Sequence, residues 1–283
     1  MSLSMASFIV NDALVKHVSE SLPGPQLIFI RGLFSSALLL VTVRVTGALR
    51  IAAAPHAPQI PLWRERHVLL RSALDALATM VYLTSLFHLP LGNATAINMA
   101  TPLVITLMAA AALHERVDAP RWVAVAVGFA GVLLVVQPAA NGFNAWALLC
   151  LFGVVLGAVR DLLTRAIPPR VPTLLITLAT ALATCVLSGA ITLFQAWQPV
   201  TAQQYALLGI AGIFLSIAYY LLILSLRAGE MSVTSPFRYS ALLFALLLGW
   251  IVWGDIPNAL AWSGIALLVG AGLYMLRSRQ ASP

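Results

Sequence analysis

The chain has 283 residues, of which 61% are hydrophobic and 9% charged, with a formal net charge of +7. Soluble domains average roughly 25% charged residues, so this composition excludes an ordinary soluble domain. The positive balance raises nucleic acid as a partner, but the basic residues gather in loops beside apolar segments, which points to a bilayer surface and to no nucleic acid.

Apolar runs of about 17–25 residues, the length that crosses roughly 30 Å of hydrocarbon as a helix, recur from end to end. They fall at 2–18, 27–43, 68–88, 94–113, 120–137, 144–166, 173–197, 205–226, 232–253 and 258–276. Barrel strands would alternate over about ten residues, whereas these runs are continuous and rich in Leu and Ala. The expected fold is all-α integral membrane, with ten transmembrane helices. The first run has no basic residue before it and no small-residue cleavage site after it, so it is expected to be an anchor and not a cleavable signal. From Ser4 to Val18 it would extend only about 22 Å.

The first and sixth runs share a pattern. VNDALVKH (10–17) and VRDLLTRA (159–166) each have Asp third and a basic residue four positions on, Asp12 with Lys16 and Asp161 with Arg165. The two acids are 149 residues apart, as are Pro23 and Pro172. Later in each half the spacing becomes 140, matching Glu115 to Asp255 and Trp122 to Trp262, with GFAG (128–131) and GAG (270–272) following. The turn-rich QPAANGFN (137–144) has five spans on each side. Two copies of a five-helix unit, 1–138 and 139–283, account for these spacings. An odd number of spans per copy makes the second enter the membrane from the opposite side, and such inverted repeats typify secondary transporters with a midplane substrate site.

Of the 16 Lys and Arg, Lys16 alone falls in a loop on the side opposite the N-terminus, and Arg31, Arg160 and Arg238 fall within spans. The others, such as Arg44, Arg116 and Arg277, lie on the N-terminal side. Cytoplasmic loops carry the basic excess, so both termini are expected in the cytoplasm.

The segments 101–136 and 235–276 resemble the EamA-type repeats of the drug/metabolite transporter superfamily. The matching features are an acid at a helix end, a Trp seven residues on, and a glycine-bearing final helix. The resemblance implies a multi-pass transporter of the bacterial inner membrane that exports amino acids and related metabolites by alternating access, most like the exporters of aromatic amino acids. It also implies that spans 1–4 and 6–9 surround a cavity while spans 5 and 10 brace the outside. The first span departs from the family's usual Trp-Gly, with Asn11 and Asp12 in that neighbourhood.

Polar residues inside apolar spans are the candidates for function. An acid at the centre of a membrane helix costs roughly 2.5–3.5 kcal/mol on insertion scales and so faces protein or water. Asp12 and Asp161 are therefore candidates for gating or coupling, against the alternative that each pairs with Lys16 or Arg165 one turn on. Glu230 is a third group able to carry a proton, and Asp75 is expected to pair with Arg71. Arg31 is expected to snorkel to the headgroups or to pair with Glu20. Asn98 and Arg238 match at the spacing of 140, and Arg238 beside Phe237 and Tyr239 suits a carboxylate and a ring. Its expected partner is Asp161 or the substrate carboxylate. Tyr82, Tyr219 and Tyr220 fall mid-span, where a hydroxyl needs a partner or a watery cavity. The expected substrate-binding set is Arg238, Tyr239, Asn98, Tyr82 and Tyr220.

Pro102 and Pro236 each free a carbonyl for a cavity or for a kink. Trp146, Trp250 and Trp253 are expected in an interfacial belt, and Gly264, Gly270 and Gly272 at close helix contacts. Cys150 and Cys185 lack metal or redox spacing and suit packing. The histidines, including His17, His67 and His88, map to loops or span ends without metal-ligand spacing, and no nucleotide-binding glycine motif is present. No catalytic residue, metal or cofactor is expected. The expected partners are a small-molecule substrate such as an amino acid and the lipid bilayer, and a monomer suffices for this architecture. The rival readings are a membrane scaffold without transport and an intramembrane enzyme.

Overall fold

A computed structural model describes residues 1–47, 66–112, 119–136, 145–168, 171–228 and 235–280. Glu115, Glu230, Arg116, Arg170 and the 137–144 boundary segment lie outside the described residues, as does the Arg165 side chain. Within them the fold is all-helical, with no strand. The helices are α1 (Ser2–Ser19), α2 (Gly24–Val45), α3 (Arg66–Leu86), α4 (Leu91–Asn98), α5 (Thr101–Ala112), α6 (Ala119–Val136), α7 (Ala145–Ala166), α8 (Thr173–Thr192), α9 (Ala202–Ala228), α10 (Ser240–Trp253) and α11 (Ala259–Gln280). A 3₁₀ segment, Ser235–Tyr239, precedes α10.

Among the described residues, five helices are long and apolar enough to cross a membrane: Gly24–Val45, Arg66–Leu86, Ala145–Thr164, Thr173–Thr192 and Ala202–Arg227. Shorter apolar helices occupy Trp122–Val135, Phe237–Trp253 and Ala259–Tyr274. Prolines punctuate the starts. Pro23, Pro90 and Pro172 stand at the N-caps of α2, α4 and α8 in extended backbone, where their missing N–H costs nothing because no intrahelical partner exists there. Gly254 ends α10 at φ 71°, and its N–H and that of Asp255 return to Trp250 O and Gly249 O at 3.0 and 3.2 Å. Only glycine adopts that left-handed cap without strain.

The expected fourth span is not one helix. It breaks at Met99 and Ala100 into α4 and α5. Proline at 102 cannot donate to the Asn98 carbonyl, which instead accepts from Thr101 Oγ1 at 2.6 Å. The expected ninth span likewise changes form beside Tyr239, 140 residues later, where the 3₁₀ segment gives way to α10.

Each of the most extensive helix pairings joins a helix before the 137–144 segment to one after it: α1 with α9, α2 with α8, α3 with α7, and α6 with α11. Small residues set the closest approach. A Cβ on Gly131 would stand 2.6 Å from the Gly264 carbonyl oxygen, so α6 and α11 touch backbone to backbone. Gly272 is closed off by the Tyr239 hydroxyl, whereas Gly270, expected at a close contact, meets nothing. Hydroxyls stitch the bundle as well. Ser4 Oγ donates to Ala218 O at 2.7 Å, and Ser35 and Ser216 share a 2.7 Å bond between α2 and α9. Apolar side chains such as Leu243, Val186 and Phe152 point outward from the bundle, as a surface facing hydrocarbon requires.

Candidate functional site

The centre of the bundle encloses a cavity of about 140 Å³, room for several water molecules. Its wall comes from α1, α2, α3, α4, α5, α7, α9, α10 and the 3₁₀ segment. Among the described residues, α6 and α11, the fifth and tenth spans, contribute no lining residue, nor does α8, the seventh.

One wall carries a hydrogen-bonded chain built on α1. Asp12 Oδ1 accepts from the neighbouring Asn11 Nδ2 at 2.9 Å, and its Oδ2 accepts from the Tyr82 hydroxyl of α3 at 3.1 Å. Asn11 Oδ1 in turn accepts from Arg31 Nη1 of α2 at 3.1 Å. The alternative offered for Asp12, a pairing with Lys16, is not made. Lys16 donates to the carbonyls of Leu86 and Leu89 and lies 5.6 Å from the Trp253 ring centre. Its side chain runs toward the helix end, where carbonyls of the α3–α4 turn accept it. Glu20 is also engaged elsewhere, accepting from Trp253 Nε1 at 3.0 Å.

A denser ionic cluster reaches the cavity through Arg160 and Arg238. Arg160 bridges two acids, with Nη1 2.7 Å from Asp75 Oδ1 and Nη2 2.8 Å from Asp161 Oδ1. Arg238 Nη2 reaches Asp161 Oδ2 at 2.6 Å. Of the two partners expected for Arg238, the structure supplies Asp161. Asp75, expected to pair with Arg71, faces Arg160, and Arg71 turns to the hydroxyls of Thr164, at 2.9 Å, and Thr180. A helix-to-helix partner wins because buried guanidinium groups need several acceptors, which a single residue one turn away does not provide.

The acids at matched positions thus have contrasting settings. Each Oδ1 accepts from the side chain of the preceding residue, Asn11 or Arg160, and each Oδ2 from another helix. Asp161 is held by two guanidinium groups, while Asp12 is held by an amide and a phenol and makes no ion pair within 4.0 Å among the described residues.

Tyr82, Asn98, Arg238 and Tyr239, expected to bind substrate, all line the cavity. The Tyr239 hydroxyl has no hydrogen-bond partner among the described residues. Tyr220 does not belong there: it is 39% exposed, and its neighbour Tyr219 lines the cavity instead. Consecutive residues on an α-helix point about 100° apart, and here that rotation turns Tyr219 to the cavity and Tyr220 away from it. Tyr219 packs edge-on to Phe8 at 5.0 Å and meets Thr79 Oγ1 at 3.4 Å.

Arg31 too departs from its expected place. Expected to snorkel, it is 1% exposed and lies on the cavity wall. The available signal was its depth, about two turns inside α2 with serines following on the same helix. Among the described residues, no cluster of three or more metal-ligating side chains occurs. Of the tryptophans expected in a belt, Trp250 is exposed, Trp253 is half-buried, and Trp146 stacks on the His88 ring at 3.7 Å.

Residues 1–137 and 144–277 match the EamA-like transporter family. Among curated proteins, the chain is similar to a riboflavin transporter of Rhizobium johnstonii, 30% identical over 76% of this chain and 70% of that one. It is also similar to an S-adenosylmethionine uptake transporter of Rickettsia prowazekii, at 24% over 99% and 92%. A third relative is a pseudopaline exporter of Pseudomonas aeruginosa, at 25% over 98% and 95%. A solved crystal structure with 20% identity superposes at a TM-score of 0.68, covering 99% of this chain and 98% of that one, and supports the fold.

Proposed function

Because the chain belongs to the EamA-like transporter family and is a multi-pass membrane protein, we propose that it exports amino acids and related small metabolites across the bacterial inner membrane by alternating access. The observation that carries this reading is the central cavity, whose wall sets Asp12, Arg31, Arg160 and Arg238 among aromatic and apolar side chains. Buried charges are costly in a membrane protein and are retained where a polar solute passes. A scaffold has no use for them.

Three features support an inverted repeat as the moving machinery. The pairings α1 with α9 and α3 with α7 exchange under a two-fold operation that swaps the halves, and α2 with α8 and α6 with α11 map onto themselves. The breaks beside Asn98 and Tyr239 fall at matched positions, and discontinuous helices mark substrate sites in such folds. Asp12 and Asp161 occupy matched positions on the first and sixth spans.

In this reading Tyr82, Asn98 and Tyr239 contact the solute. Asp161 with Arg238 closes one mouth and Asp12 with Tyr82 the other; both contacts are made together here, and rocking of the halves opens them one at a time. Both termini lie in the cytoplasm, and Asp12, lacking an ion pair, is the acid free to carry a proton. The three relatives named above are transporters of riboflavin, S-adenosylmethionine and pseudopaline, and an aromatic or hydrophobic amino acid shares with the latter two a carboxylate. The test is efflux from proteoliposomes loaded with labelled amino acids, with and without a pH gradient. Efflux above protein-free vesicles is expected for aromatic amino acids, and silence across amino acids and related carboxylates would return the chain to a scaffold.

A further inference from the structure

The described core holds four arginines, Arg31, Arg71, Arg160 and Arg238, against three aspartates, Asp12, Asp75 and Asp161. One positive charge is left over. Arginine stays protonated in proteins, so it cannot shed that charge on burial.

The distribution of partners locates the surplus. Arg160 and Arg238 are ion-paired. Arg71 lacks an acid partner among the described residues: it spends Nε and Nη1 on two threonine hydroxyls and keeps a buried Nη2 without a partner there, but it does not line the cavity. Arg31 lines the cavity and makes one hydrogen bond, from Nη1 to the uncharged Asn11. Its Nε and Nη2 are buried and have no partner among the described residues. These two nitrogens form one edge of the guanidinium, the edge whose parallel N–H groups match the two oxygens of a carboxylate. Leaving such donors unmade in a buried site is expensive. Asn11 fixes the opposite side of the group, so the free edge is already oriented.

We propose that Arg31 receives the carboxylate of the transported solute through Nε–H and Nη2–H, and that this contact restricts transport to solutes bearing a free carboxylate. Arg238, engaged by Asp161, does not perform this role. Asp12, tied to Arg31 through Asn11, stands where the ammonium of an amino acid would complete the recognition, with Phe8, Tyr82 and Tyr219 beside it. The inference rests on the transport reading above and names the group that reads the solute.

The test uses the full chain in proteoliposomes and matched probes: L-phenylalanine and L-leucine, their amides, 3-phenylpropionate and phenethylamine. Each is assayed as a competitor of labelled L-phenylalanine exchange and for binding to purified protein. In wild type, the acids are expected to bind at least about tenfold more tightly than their amides, the equivalent of one charge-assisted contact, and phenethylamine is expected to fail. Arg31→Gln is expected to abolish the acid preference without lowering the melting temperature, since it removes the surplus charge. Arg31→Lys, charged but lacking the fork, is expected to bind acids less tightly than wild type.

Equal handling of acids and amides by wild type overturns this inference while leaving transport intact. So does an Arg31→Gln protein that unfolds more easily and is rescued by Asp12→Asn, which would make Arg31 the counter-charge of Asp12. Failure of every probe, acid and amide alike, to bind or exchange overturns the amino-acid reading and this inference with it.

Discussion

The Asp161–Arg238 contact offers a quantitative test of how the inner cluster is held. Its N–O distance is 2.6 Å, and the two side chains are 9% and 1% exposed. In Arg238→Gln, Asp161 keeps Arg160 on Oδ1, so the loss is one charge-assisted hydrogen bond, about 1.5–3 kcal/mol. Asp161→Asn is expected to cost more, about 3–5 kcal/mol, because Arg238 loses its acid and Arg160 is left with Asp75 alone. In the double variant both partners of one interaction are gone, and the total should fall short of the sum by about 1–3 kcal/mol. The assay is equilibrium unfolding of purified protein in mixed micelles, followed by tryptophan fluorescence, with all four members of the cycle measured alike. Additivity within about 0.5 kcal/mol would refute the reasoning, because residues without an energetic link add to that accuracy. Arg238→Gln should also keep its preference for acids over amides, which Arg31→Gln loses.

Asp12→Asn leaves an amide beside Asn11 and Tyr82 and should cost about 1 kcal/mol, well under Asp161→Asn, yet slow efflux; a wild-type rate in proteoliposomes would remove Asp12 from gating and coupling. Gly131→Ala places a methyl 2.6 Å from the Gly264 carbonyl oxygen and should cost about 1–3 kcal/mol by overpacking. Its flux per folded molecule should stay at the wild-type level, because Gly131 is off the cavity wall; a melting temperature equal to wild type would show that α6 and α11 do not pack as closely as described. A topology reporter fused after Pro283 or after Pro58 should report cytoplasm and one after Gly142 the outside; an outside signal at Pro283 would break the even number of crossings.

Much of the architecture was legible in the sequence because its causes are local. A bilayer leaves backbone groups no water to bond, so long apolar runs are forced into helices whatever surrounds them. The recurrence of Asp12 and Asp161, and of Trp122 and Trp262, likewise needs only counting. Even the break of the fourth span had a local cause in Pro102, though the expected continuous helix overlooked it.

The assignments that sequence could not make are those of direction and partner. Along the ninth described helix nearly every residue is apolar, so no polar face reveals the rotation that turns Tyr219 inward and Tyr220 out. Asp75 and Arg160 are 85 positions apart, and Asp161 and Arg238 are 77; their meeting is a property of packed helices. The nearest basic residues in sequence, Lys16 for Asp12 and Arg71 for Asp75, lost to other donors: Asn11 and Tyr82 take Asp12, and Arg160 takes Asp75. Arg31 shows the same division most plainly. Its charge and depth could be read from the chain, but the free edge of its guanidinium is a product of packing, which gives Asn11 to Nη1 and no acceptor among the described residues to Nε and Nη2.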